Sequence, residues 1–113
     1  MTMKTLILHH DDCLQHETGR GHAEKPSRVN AVFNAVNGLP KTETLPAPRA
    51  TAEQVQRAHQ SEYWDKLVEM EPSEGERQRI MLDSDTALSA GSVDATLRGS
   101  GAACFAVEQV QGE

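Results

Sequence analysis

Eight side chains of metal-ligating type crowd the stretch HHDDCLQHETGRGH: His9, His10, Asp11, Asp12, Cys13, His16, Glu17 and His22. Imidazole, thiolate and carboxylate can together hold a zinc ion, or pair a nucleophile with a base. The spacing supports neither directly. A closed zinc site is announced by CxxC or by paired histidines with a second ligand pair downstream, and a zinc hydrolase helix by HExxH; none of these occurs. Cys13 has histidines beside it in sequence, but a nucleophile–base pair is a relation in space. Gly19-Arg20-Gly21 is too short to cradle phosphate. Gly99-Ser100-Gly101 sits inside a helical pattern with no strand before it, so a dinucleotide fingerprint lacks its context. The segment reads as a polar loop after a strand, one able to pick up metal adventitiously.

The elements around that loop follow from periodicity. Lys4–Leu8 reads as a short buried strand. After the loop, Ser27 is placed as an N-cap for a helix whose Val29, Val32, Phe33 and Val36 fall on one stripe. Gly38 supplies the stop and Pro40 prevents resumption. Residues 39–50 hold Pro40, Pro46 and Pro48 and read as an extended connection, with a short strand near Thr44–Leu45. Thr51 and Gln54 form a capping-box pair for a short helix to Ala58. Ser61 is expected to cap the next helix, with Tyr63, Leu67 and Met70 on one face. From about Thr86 to Gln111 the pattern is helical, with Val93, Leu97, Cys104 and Val107 near one stripe. Gly91, Gly99, Gly101, Ala102 and Ala103 make that helix thin. Interior glycines cost about 1 kcal/mol each relative to Ala, so a thin helix expects a close neighbour.

Composition narrows the class of function. At 113 residues and 12.4 kDa the chain is one small domain at most. Its formal net charge of −6 argues against binding nucleic acid through phosphate, which needs a basic face. The charge is uneven, net +1 over residues 1–50 and −7 over residues 51–113, which reads as a solvated acidic face on the later helices. No apolar run approaches the roughly 20 residues of a membrane span, and no secretory signal is present. With two cysteines and no export signal, reduced thiols and a cytoplasmic setting are expected.

Three segments carry a family resemblance. GHAEKPSRVNAV, from Gly21 to Val32, resembles the HPExPxRxxAI signature of the histone deacetylase family in its class II-like branch, with Ala23 where that family usually has proline. AHQSEYWDKL, from Ala58 to Leu67, is similar to the family's H-(S/T)-x-x-Y-(L/V)-x-x-L segment, with Trp64 at the aliphatic position. Leu82 to Glu113 resembles the D-x-D-T helix that precedes the strand bearing the family's tandem catalytic histidine.

The resemblance implies the arginase–deacetylase fold, a three-layer α/β/α domain around a parallel sheet. It implies removal of acetyl groups from lysine or polyamine amides by a zinc ion held by two aspartates and a histidine. The tandem histidine supplies acid–base chemistry there, and usually a tyrosine stabilises the oxyanion. The zinc motif D-x-H and the tandem histidine in its P-P-G context are both missing from these residues. Residues 1–113 are therefore expected to be a single partial domain, the amino-terminal third of a deacetylase, mostly helical with one or two strands. No catalytic or metal-binding residue is assigned to them. Zinc and the acetylated substrate belong to the full-length parent, and surface left open by truncation could support a homo-oligomer. By the same resemblance Arg28 matches an arginine beside an acetate-release channel, with a surface salt bridge as the plainer alternative. Asp85 falls where deacetylases hold a rim aspartate that accepts substrate amides, although Asp83 or Asp85 could equally cap the following helix. His22 borders the pocket, and His59 and Tyr63 look structural.

Overall fold

In the computed structural model the chain is described over residues 4–76 and 78–112; Glu113, the last residue of the third matching segment, lies outside them. Strand β1 (Thr5–His9) takes the apolar Leu6-Ile7-Leu8 run. It pairs in parallel with β2 (Thr42–Pro46), in register from Thr5 opposite Thr42 to His9 opposite Pro46. The short strand expected near Thr44–Leu45 is thus a full partner of β1. Parallel neighbours need a long crossover, and here it holds a 3-10 turn (Asp11–Gln15), a polar loop and helix α1 (Pro26–Val36).

Helix α1 begins two residues earlier than Ser27 capping requires. Pro26 occupies the first turn, where its missing N–H costs nothing, and Lys25 is the N-cap without a side-chain bond. At the other end Gly38 takes a left-handed φ of 86°, as the stop signal demands. Helix α2 (Ala52–Gln56) carries the expected capping box in full. The Gln54 amide donates to Thr51 Oγ1 at 3.1 Å, and the Thr51 amide donates to Gln54 Oε1 at 2.9 Å. Helix α3 (Ser61–Met70) has Gln60, not Ser61, at its N-cap position, with no side-chain cap bond.

The last helix corrects the sequence reading most. Residues 87–88 form strand β4 (Ala87–Leu88), antiparallel to β3 (Ile80–Met81), and α4 (Ser92–Val110) starts only after Gly91. Gly91 has φ 96°, and a Cβ there would lie 2.6 Å from Gln15 Cβ. Helical periodicity runs on through Ala87 and Leu88, but the left-handed glycine breaks the chain's path. The close neighbour expected of the thin helix exists at Gly101. A Cβ on it would lie 2.0 Å from the Pro48 carbonyl oxygen. The proline-bearing connection 47–50 therefore packs onto α4, and the Ala50 amide donates to the Leu97 carbonyl at 2.9 Å.

Little of the apolar surface is enclosed. Among the described residues the buried apolar side chains are Ala47, Ala50, Ala87 and Leu88, and no large side chain is fully buried. The stripe of α1 is only half covered, with Val32 62% exposed. Residues of a parallel pair normally lie between two layers, yet Leu6, Ile7 and Leu8 are only partly buried. The accessible surface is 8158 Å², against about 6,100 Å² for a compact monomer of this mass. The radius of gyration is 15.7 Å, where about 13 Å is usual for this length. The architecture is a small, mostly helical α/β assembly with two minimal sheets and open faces.

Candidate functional site

The polar loop does not gather its ligand-type side chains; each is drawn to a different neighbour. His9 stacks on Phe33 with ring centroids 4.0 Å apart. His10 Nδ1 accepts the Asp12 amide at 3.0 Å and so caps the 3-10 turn. The Asp12 carboxylate accepts from Arg98 Nε at 3.0 Å, while Arg98 Nη1 donates to the Ala47 carbonyl at 3.1 Å. That one guanidinium joins α4, the 3-10 turn and the end of β2. Burial, with the Asp12 charge beside it, pushes the Cys13 thiol above its usual range, which keeps it protonated and a poor nucleophile. Among the described residues no three His, Cys, Asp or Glu side chains converge as metal ligands.

The second half of the loop is pinned to the start of α4 by two serines. Ser89 Oγ accepts the Glu17 amide at 2.8 Å, and Ser92 Oγ accepts the Ser89 amide at 2.8 Å. His16 Nδ1 lies 2.7 Å from Ser92 Oγ. Both serines are buried and all their hydroxyl contacts are internal, so the network fixes position. It frames a cavity of about 290 Å³ lined by His16, Glu24, Trp64, Leu88 and Val93. The sequence reading passed over Ser89 and Ser92; their S-x-x-S spacing just before a helix is the signal available for them.

Of the three candidate residues, the fold brings two together. His22 Nε2 lies 2.8 Å from the Asp85 carbonyl oxygen, joining loop to hairpin across 63 positions of sequence. Asp85 does not cap a helix. It sits in the β3–β4 turn, where its amide donates to Asp83 Oδ1 at 2.8 Å. Hydrogen bonds from the Asp85 amide and the Thr86 hydroxyl hold the Asp83 carboxyl below its ordinary range. Arg28 stands apart from this junction. It lines an open groove of about 430 Å³ between β1 and α1, with Ile7, Val29, Phe33 and Val36. Its Nη1 donates to the Ala23 carbonyl at 3.3 Å. His59 and Tyr63 stack at 5.3 Å, a local contact between α3 and the turn before it.

The fold thus sets Asp85 on a hairpin turn and the Arg28 guanidinium along an apolar groove, with a buried serine network holding the loop to the start of α4. No helix among the described residues is long and apolar enough to cross a membrane. The histone deacetylase domain matches residues 22–113, which include His22, Arg28 and Asp85 but leave most of the histidine-rich loop outside. The chain is also similar to the type-2 histone deacetylase 2 of Dictyostelium discoideum, at 26% identity over 134 aligned positions. That match covers 95% of this chain and 8% of the relative, so the chain spans less than a tenth of its length.

Proposed function

The chain belongs to the histone deacetylase family, and from that premise we propose that residues 1–113 form the front part of a deacetylase domain, shaping its pocket without performing its chemistry. The observation that carries this reading is the uncovered parallel pair. Leu6-Ile7-Leu8 and the Val29–Val36 stripe have the composition of interior surfaces, and the chain leaves them only partly buried, with Val32 exposed. In the three-layer α/β/α arrangement, further parallel strands would extend the β1–β2 sheet and helices would close its faces.

Among the described residues no set of ligand side chains converges to hold this family's zinc ion. We place the metal in the remainder of the full-length protein, along with the acid–base groups. The contribution of this part is recognition. The Asp85 carboxylate, exposed at the hairpin turn, accepts hydrogen bonds from backbone amides of an acetylated lysine substrate, or from the amide of an acetylated polyamine. Arg28 offers a planar, permanently charged fork that can hold the acetate leaving the site by two parallel hydrogen bonds. With Cys13 and Cys104 both free thiols, the reading places the protein in the cytoplasm.

A self-associating module is the alternative, favoured by Val107 and Val110, 56% and 88% exposed at the end of α4. It is the weaker reading, because the Gly101 part of the thin face is already occupied by Pro48–Ala50 within the chain. The test is turnover of an acetyl-lysine peptide by the 113-residue chain, with zinc supplied and then chelated. The expected result is no turnover above the buffer rate. Chelator-sensitive turnover would overturn the proposal and point to a zinc site in the His9–His22 loop.

A further inference from the structure

We infer that His22 is the positioning residue for Asp85, holding the hairpin turn through the Asp85 carbonyl. The two ring nitrogens settle the tautomer between them. The Glu24 amide donates to Nδ1 at 3.0 Å, so Nδ1 bears no proton. A carbonyl oxygen only accepts, so Nε2, 2.8 Å from Asp85, must carry the hydrogen.

The ring is delivered to this place by a tight turn. Gly19 and Gly21 take φ values of 105° and 82°, and the His22 amide donates to the Gly19 carbonyl at 3.3 Å. Thr18 is buried and its hydroxyl donates to the Glu24 carbonyl, closing the loop on itself. On the hairpin side, the Leu82 amide donates to the Thr86 carbonyl at 2.8 Å and Asp83 accepts the Asp85 amide, so the turn is a preformed unit. What remains to be fixed is the orientation of that unit relative to the loop, and His22 bonds directly across the gap. Arg79 also reaches the loop, at Gly19. Without the His22 bond the Asp85 carboxylate loses its set direction.

The inference rests on reading Asp85 as a rim residue, but the clip is tested without turnover. Amide resonances of the full 113-residue chain are compared with those of His22 variants at one pH. His22→Gln keeps an N–H for the Asp85 carbonyl, so its Asp85 and Thr86 amides should match the wild type. His22→Asn is too short to reach, and should displace both. His16→Asn should leave them in place. Exchange of the 78–88 amides, read by mass spectrometry, gives the same comparison if the chain self-associates. Turn amides unmoved by His22→Asn, displaced by His16→Asn, or displaced equally by Gln and Asn would each overturn the inference, whatever the domain hydrolyses. Displacement by His22→Asn alone in a protein shown not to be a deacetylase would leave the clip standing and remove only the rim reading.

Discussion

Gly101→Ala is expected to loosen the junction between α4 and the 47–50 connection, at a cost of about 1–3 kcal/mol. An added Cβ would meet backbone on every side: 2.0 Å from the Pro48 carbonyl oxygen, 2.7 Å from the Ala50 nitrogen and 2.8 Å from the Arg49 carbonyl carbon. None of these can rotate away as a side chain could, so the helix or the connection must move. The gain in helix propensity, about 1 kcal/mol for Gly to Ala, offsets part of the strain. Gly99→Ala is the matched control, because nothing lies within 4 Å of a Cβ there and only the propensity gain applies. The readout is exchange of the Ala50 amide, which donates to Leu97 across the contact. It should speed up in the Gly101 variant and hold or slow in the Gly99 variant.

How much of this was legible beforehand varied with the range of the interaction. The capping box of Thr51 and Gln54, the Gly38 stop and the α1 stripe are local patterns, and the fold keeps them. The caps at Ser27 and Ser61 failed for local reasons too, since Pro26 is the better first residue and Gln60 already has extended backbone. Ala87–Leu88 continues a helical pattern but becomes strand, because pairing with Ile80–Met81 and the left-handed Gly91 outweigh weak propensity. The meeting of His22 with Asp85 was not readable at all. It uses a backbone carbonyl, which any residue presents, at a distance in sequence that only the fold brings together. Close approach to the thin helix was legible in its glycines, but its occupant was not: the proline connection, read as a mere linker, fills the notch.

Arg98→Ala is expected to cost about 1.5–3 kcal/mol, the range for removing hydrogen bonds to a charged group. The guanidinium is 20% exposed and its partner Asp12 32%, so solvent replaces only part of what is lost. Without it, the Asp12 carboxylate and the Ala47 carbonyl lose their shared donor, and three elements lose their common pin. Arg98→Lys should recover less than half, because an ammonium cannot span the two acceptors as a planar fork does. A double-mutant cycle with Asp12→Ala separates the ion pair from the Ala47 bond, with a coupling of about 1 kcal/mol expected. The local reporter is the Ala47 amide, which donates to the His9 carbonyl at 2.9 Å and should lose protection in Arg98→Ala.

The central claim is that the open faces of this chain are interior surfaces of a larger deacetylase domain. Calorimetric unfolding of the 113-residue chain at two concentrations tests it most directly. A complete domain of this length should absorb about 80 kcal/mol in one transition. The account predicts a clearly smaller, broad transition, or a midpoint that rises with concentration because copies cover one another's apolar faces. A single sharp transition with the full enthalpy and a midpoint independent of concentration would contradict it, showing that the chain closes its own core.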